Sequence, residues 1–416
     1  MKKYDILTQT QTVSNIKSLN GELKSFKNSE FTKKALRKFE DNKIYYFSFF
    51  GDVDDNSLIN QAKVIPDVGI PFSYQLNDWK SQVFNDQRSL QLKLELLEDE
   101  ASDIEKKLRI FTNDFAISGV YDRVLNKIEI VDNEKNKLEA ISIHNTNWYA
   151  YTRLGSGSIM DGFFWNASLN MNPDYIKECL HLGLDHFDKK AQIENGQYPV
   201  LFVDKNEAED SFLRKIKDSL MADKYFQKSG LLTDKLNHRV FNEKLTVFDT
   251  TSDTSSGIFN PFDFEGYIRK ERNLNIVENG VVKNVIADLN QSSKYNILQT
   301  GNSIRDFKST TITNYNSLII KPGLKSTEEI LKSLPACILV FLGGGSDFSD
   351  LGDYSFPVQV SYLYEYGKPM GRLESLSLNA NVFEMFGDNL IEIASNNFYK
   401  SEASPSVFMK MNVMMN

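Results

Sequence analysis

At 416 residues the chain is longer than one average domain, so two domains are expected. Apolar residues make up 41% and charged residues 25%, which allows a sizeable globular core. A net charge of −8, from 48 basic and 56 acidic residues, excludes a chain-wide basic surface of the kind that neutralises nucleic-acid phosphates, though not a local patch.

The opening stretch, MKKYDILTQTQTVSN, has no apolar run, so no signal peptide is read there. Strands are expected over residues 4–14, about 16–26, at 38–39 and over 42–50, where NKIYYFSFF is rich in aromatic residues suited to a sheet. DNSLINQA (55–62) opens a helix with Asp55 or Asn56 as its N-cap. Residues 89–111 read as a long charged helix, with Leu92, Leu94, Leu96, Leu97, Ile104 and Leu108 forming its apolar stripe. Strands follow over 119–131, 138–144 and 148–154, and a further one resumes at 162–165 after a flexible turn from Gly155. Asn172-Pro173 starts a helix, because Asn caps well and Pro is tolerated in a first turn. Ile176, Leu180, Leu184 and Phe187 give it one apolar face. Glu194-Asn195-Gly196 ends this segment, and the first domain is expected to end at residue 195.

Beyond it, YPVLFV (198–203) is a buried strand, and residues 204–221 form a helix with Ala208, Phe212, Ile216 and Leu220 in one row. Residues 245–323 are the centre of a β-rich second half. Leu274, Ile276, Val281, Val282, Val285 and Ile286 flank Glu278-Asn279-Gly280, and Asn-Gly is the strongest short-range hairpin signal. In FDFEG, Asp263 and Glu265 stand two residues apart, so in an extended segment both point to one face. Such a pair can bind a cation or act as acid and base. More often it is a solvated loop edge or a cap on nearby backbone N–H groups. Thr300-Gly301-Asn302, with Arg305, reads as a shaped turn, and Leu318-Ile319-Ile320 as a strand closed by Pro322-Gly323. A helix over 326–334 and a buried strand over 336–342 come next. Gly343-Gly344-Gly345 leads to a strand over 358–366, a turn at Tyr366-Gly367-Lys368, a strand over 373–378 and a short helix within 379–391. The longest apolar run, 336–342, is far short of the ~20 residues of a membrane helix.

In this order the segments resemble the C-terminal half of the TldD/PmbA family. The matching features are the strand ending in Asp249, the FDFEG loop, the hairpin at Asn279-Gly280, the Thr300-Gly301-Asn302 turn, and the Asn-rich approach from Asn314 to the strand closed by Pro322-Gly323. The family was first labelled as modulators of DNA gyrase, and its TldD branch contains zinc peptidases. LNGELKSFKNSE is similar to the family's N-terminal hairpin, although the helix that usually precedes the first strand has no room here. The resemblance implies an α+β protein of two domains. Residues 1–195 form a sheet-plus-helices domain, and residues 196–416 form a β-rich, barrel-like or sandwich-like domain with a few helices.

The resemblance also implies where a metal would sit. A TldD-type peptidase carries His-Glu-x-x-x-His on the helix after the Pro-Val strand, and its two imidazoles grip zinc. Arg214, Lys215 and Ser219 fall on those positions here, and cationic side chains cannot ligate. The family's third ligand is a Cys near the C-terminus, and residues 396–405 have none. This is the pattern of the PmbA branch, also called TldE. It implies no catalytic residue, no metal and no cofactor in this chain, and partnership with a TldD-like zinc peptidase subunit or a second copy. Peptides are the implied substrates, with neither nucleic acid nor membrane as a partner. Candidate groove-lining or loop-shaping residues are Asp263, Glu265, Gly266, Thr300, Gly301, Asn302, Gly343, Gly344 and Gly345; the glycines stand beside a strand edge that an extended peptide can join.

Other chemistry is weakly signalled. His181 and His186 lie about 140° apart on a helix, and His144 and His238 are isolated. No Gly-x-Ser-x-Gly elbow is present, and no Lys-Ser/Thr follows the three glycines as a P-loop requires. Cys179 and Cys337 suggest neither a disulfide framework nor a zinc knuckle, so a reducing, cytoplasmic setting is expected. A stand-alone homodimeric scaffold or binding protein, and an independent hydrolase with an unrecognised site, remain as alternatives.

Overall fold

Asn20 and Gly21 both adopt positive φ (52° and 79°), the requirement of a type I′ turn, whose twist matches that of the strands it joins. The turn makes one long hairpin of β1 (Tyr4–Leu19) and β2 (Glu22–Glu40). Asp41 and Asn42, at 51° and 57°, repeat the device into β3 (Lys43–Phe50). The breaks expected after residues 14 and 26 do not occur, and 38–39 belongs to β2. The computed structural model describes residues 3–51, 53–61, 69–87, 92–156, 158, 160–168, 171–203, 208–253, 257–305, 311–345, 348–399 and 404–416. The starts expected for two helices, at residues 89 and 204, lie outside the described residues, as does the end at residue 62.

The first sheet is completed by β4 (Ile70–Pro71), β5 (Gln82–Asn85), β6 (Phe115–Asp132), β7 (Lys137–Arg153) and β8 (Gly162–Ser168). Its order is β4-β3-β2-β1-β6-β7-β5, with β8 also on β7. The expected gap at residues 145–147 is bridged, since β7 runs unbroken beside β6. One face buries Ile6 and Leu36 under Leu58 of α1 (Asp55–Gln61). Further along, Ile16, Tyr121 and Tyr149 lie under α2 (Leu97–Leu108) and α3 (Pro173–Leu184). The Asn172 side chain accepts from the Asp174 and Tyr175 amides, the cap that its position before Pro173 predicts. The opposite face carries Leu7, Ala35, Ile130 and Leu138. These pack against Trp79 and against Phe262 of the second half.

The second half begins with β9 (Gly196–Phe202), α4 (Ala208–Leu220) and α5 (Ala222–Phe226). A small sheet of order β14-β13-β10-β17 follows, from β10 (Val247–Thr250), β13 (Asn273–Glu278), β14 (Val281–Val282) and β17 (Leu318–Ile320). Between these lie two two-stranded pairs, β11 (Ser252–Asp253) with β12 (Ile258–Phe259) and β15 (Ser303–Arg305) with β16 (Thr311–Thr313), and α6 (Leu289–Tyr295). After α7 (Thr327–Ser333) the chain enters β18 (Cys337–Gly343), β19 (Asp353–Glu365), β20 (Lys368–Arg372), β21 (Leu376–Asn381), α8 (Val382–Met385), β22 (Leu390–Ile393) and β23 (Val407–Met415). Strands β18, β9, β23, β21 and β19 pair in a ring that closes through β18–β19, a five-stranded barrel. Of the two expected forms, barrel and sandwich, the barrel is the one present. Phe212, Leu213, Ile216 and Leu220 of α4 join its core with Val200, Val340, Phe356 and Met411. The turn at Tyr366-Gly367 feeds β20 rather than a strand over 373–378, and the helix within 379–391 shrinks to α8 between two strands. No helix among the described residues is long and apolar enough to cross a membrane.

Candidate functional site

Asp249, next to last in β10, is fully buried, and its carboxylate organises the segments around it. Its Oδ1 accepts from the Asn316 and Ser317 amides at 2.7 and 3.0 Å. Its Oδ2 accepts from Arg269 Nη2, Asn302 Nδ2 and Asn316 Nδ2 at 2.7, 2.9 and 3.1 Å. Arg269 also donates to Asn302 Oδ1 and to the Thr300 carbonyl. Thr300 Oγ1 donates to the Ala287 carbonyl and accepts from the Ala287 amide. Gly301 turns the chain between them beside the Tyr267 ring. The Thr300-Gly301-Asn302 turn therefore ties three loops to one buried carboxylate. A buried charge satisfied this completely holds a backbone joint in one geometry.

The expectation that Asp263 and Glu265 point to one face of an extended segment is not met, and neither side chain is solvated. FDFEG is a tight turn, closed by the Gly266 amide on the Asp263 carbonyl, with Gly266 against the Trp79 ring. Asp263 caps this turn: Oδ1 accepts from the Glu265 and Tyr267 amides, both at 2.9 Å, and Oδ2 from the Ser303 amide at 3.2 Å. Burial pushes its carboxyl up to about 6, against the three amides that favour the charged form. Glu265 faces the other way, into the junction with the first sheet. Its Oε1 accepts from Arg37 Nη1 at 3.2 Å and its Oε2 from the Leu289 amide at 2.9 Å. Burial pushes it up to about 8; Arg37 works against this, and Asp263 and Asp288 add to it. Arg37, on β2, grips Asp5 of β1 through Nε at 3.0 Å and Nη2 at 2.7 Å. Arg305, on β15, donates to Asp5 Oδ1 at 2.6 Å and to the Ala35 carbonyl at 3.0 Å. Burial and the neighbouring Arg37 lower the Arg305 guanidinium to about 10, with Asp5 opposing. All four side chains are buried. The cluster pins the first sheet to the FDFEG and β15 loops of the second half.

Helix α4 presents Arg214 exposed, Lys215 half-buried and Ser219 buried, with Ser219 Oγ accepting from the Leu231 amide at 3.1 Å. The sequence model of the PmbA/TldA metallopeptidase C-terminal domain matches residues 195–414, more than half of the chain. The chain belongs to the PmbA/TldA metallopeptidase family. Its fold is that of TldE from Thermococcus kodakarensis, with a TM-score of 0.81 at 16% identity over 100% of this chain and 97% of that one. A metalloprotease of Methanocaldococcus jannaschii is 27% identical over 165 residues, 39% of this chain and 36% of that protein. A metalloprotease PmbA homolog of Buchnera aphidicola is 24% identical over 263 residues, 61% of this chain and 56% of that protein. The aligned stretch thus spans little more than a third of the Methanocaldococcus metalloprotease.

A metallopeptidase family implies a metal, and the three α4 residues on the positions where the resemblance expects ligands do not fit one. Guanidinium and ammonium groups have no lone pair to give, and Ser219 Oγ already accepts an amide. Among the described residues no three His, Cys, Asp or Glu side chains lie together as a metal-holding group. Cys337 is buried on β18, and burial pushes its thiol far up, away from the thiolate that zinc requires. His181 stacks on Phe111, and His144 lies half-buried near Asn126 with its pKa pulled down by burial.

In this family member the three glycines stand where β18 leaves the barrel. Gly343 has no room for a side chain against the Phe356 ring, the Gly344 amide donates to the Pro357 carbonyl at 2.8 Å, and Gly345 is open. The strand edge beside them is partly taken by the chain itself: Phe348 bridges to Tyr354, and the Ser349 amide donates to the Asp353 carbonyl. A cleft of about 560 Å³ adjoins, lined by Phe348, Ser349, Asp353, Tyr354, Ser355, Asn379 and Ala380. The sequence reading missed Asp5, Arg37 and Arg269. A signal for the first two exists in the alternation: Asp5 shares a strand face with Leu7, and Arg37 with Ala35, so each charge sits where an apolar residue is due.

Proposed function

We infer that this chain is a non-catalytic, TldE-like subunit that assembles in the cytoplasm with a TldD-type zinc peptidase, its two domains being residues 1–195 and 196–416. The partner would supply the metal and cut peptides, while this chain would supply wall and binding surface, the cleft beside Gly343–Gly345 included. The observation that carries the reading is α4. The helix that would hold the zinc ligands offers Arg214, Lys215 and an engaged Ser219 instead. The buried joints at Asp249 and Glu265 support a bracing role for the motif residues, since their hydrogen-bonding atoms are turned onto the protein's own backbone. The test is metal content and cleavage of an unfolded peptide by the purified chain, alone and mixed with a TldD-type protein bearing HExxxH. The expected result is no stoichiometric zinc and no cleavage alone, with altered cleavage in the mixture. Zinc at one equivalent, or cleavage by this chain alone, overturns the reading.

A further inference from the structure

Strand β2 is longer than the strand that covers its outer side. Partner β3 pairs only with Lys33–Glu40, and the Gly51 amide on the Thr32 carbonyl ends that track. From Glu22 to Phe31 the described residues place β1 on one side of β2 and no strand on the other. Beyond Leu23, which packs under α2, this stretch is also exposed on both faces. Phe26 is 50% exposed on one face, and Phe31 39% on the other, beside Phe50 at 64%. A notch of about 310 Å³ lies where β3 stops, lined by Glu30, Phe31, Thr32, Lys33, Phe50 and Gly51. Lys33 Nζ stands 5.6 and 5.8 Å from the Phe31 and Phe50 rings. An unpaired edge flanked by exposed aromatics is a template for an added strand.

We propose that this edge binds an extended, acidic polypeptide segment, laid antiparallel to β2 along the line that β3 vacates. Charge selects the occupant. Residues 22–34 hold Lys24, Lys27, Lys33 and Lys34 against Glu22 and Glu30 on a chain whose net charge is −8; Lys24 pairs with Glu22 and Lys34 with Asp55, so the exposed Lys27 is the cation that an incoming carboxylate meets. Facing residues of an antiparallel pair share a face. An apolar side chain opposite Phe31 therefore enters the notch beside Phe50, a carboxylate opposite Lys27 meets its ammonium, and an apolar one opposite Phe26 covers that ring. Read along the incoming strand, the pattern is apolar, three free positions, acidic, apolar. A second copy matches poorly. Two-fold pairing centred on residue 27 sets Lys27 against Lys27, and pairing centred on 28 sets Phe26 against Glu30. The surface lies apart from α4, so the proposal does not depend on the chain's catalytic status.

Fluorescence anisotropy tests it with two labelled peptides, Thr-Val-Thr-Ser-Thr-Glu-Val-Thr and the same with Lys in place of Glu, against the full chain and its Lys27→Glu variant. Lys27 is exposed, so the variant folds as the parent does. The expected result is preference for the Glu peptide by the parent, about fivefold weaker binding of it by Lys27→Glu, and a reversed preference for the Lys peptide. No binding of either peptide, equal binding of both, or an unchanged preference in Lys27→Glu overturns the proposal. So does sedimentation showing a dimer that Lys27→Glu dissociates, which would assign the edge to a second copy.

Discussion

Replacing Arg37 with Met keeps most of the side-chain volume and removes the charge that holds two carboxylates. In the parent, Arg37 gives Asp5 two hydrogen bonds, at 3.0 and 2.7 Å, and Glu265 one at 3.2 Å. After the change Asp5 keeps Arg305, but Glu265 keeps only the Leu289 amide. Breaking a buried ion pair by removing one partner costs about 3–5 kcal/mol, because the remaining charge is left in a poor solvent. Glu265 can escape part of that cost by staying protonated, since its carboxyl already sits up at about 8. The loss at about pH 6 is therefore expected near the lower end, about 3 kcal/mol, rising at about pH 9, where protonation no longer relieves Glu265. Urea denaturation of Arg37→Met, Glu265→Gln and the double variant at both pH values measures this. In the Glu265→Gln background the penalty should lose its pH dependence. A loss below about 1 kcal/mol at both pH values, or a pH dependence that survives in the double variant, would refute the view of Arg37 as the pin between the two halves.

The remaining predictions use the same joints. Glu265 and Asp263 have folded-state values, about 8 and about 6, above their ordinary 4.5 and 3.8. The folded chain thus holds these protons more tightly than the unfolded one, and their contribution is complete below about pH 4 and lost as pH rises through 6 and then 8. Denaturation midpoints should fall from about pH 6 to about pH 9, and Glu265→Gln should flatten the upper part; a rising midpoint over that window contradicts the sign. His144, whose value is pulled down, opposes this trend only below about 6.5. Asp249→Ala leaves the half-buried Arg269 without its carboxylate and should cost about 3 kcal/mol, visible as faster proteolysis of the second half. Gly280→Ala puts a side chain at φ 77° with its Cβ 2.1 Å from the Phe241 carbonyl oxygen, and should cost about 1–3 kcal/mol in thermal unfolding.

What could be read from the sequence depended on the range of the interaction. The hairpin at Asn279-Gly280 was readable because both residues take positive φ, 49° and 77°, as a local steric demand. The cap at Asn172 was readable from an equally local signal, a side-chain oxygen just ahead of a first turn that opens on Pro173. The lengths of β1, β2 and β7 were not. Their middles carry Thr8, Thr10 and Thr12, Asn28 and Ser29, or Asn145 and Asn147, and turn-like polar residues mask the alternation of a long strand. Barrel closure was equally hidden, since β18 meets β9 across the whole of the small sheet.

The candidate acidic pair shows most sharply why local spacing was insufficient. Two residues apart, Asp263 and Glu265 suggested a shared face; the turn at Gly266 sends one to its own backbone and the other to a guanidinium 228 positions earlier in the chain. Neither partner of Glu265 is signalled by its neighbours, because the Arg37 side chain reaches it only once β1 and β2 have paired in register and laid Asp5 beside Arg37. The register of the N-terminal hairpin therefore controls the charge state of a loop in the other half of the molecule. A one-residue slip of β2 would turn Arg37 to the opposite face, leaving Glu265 with the Leu289 amide and without its guanidinium.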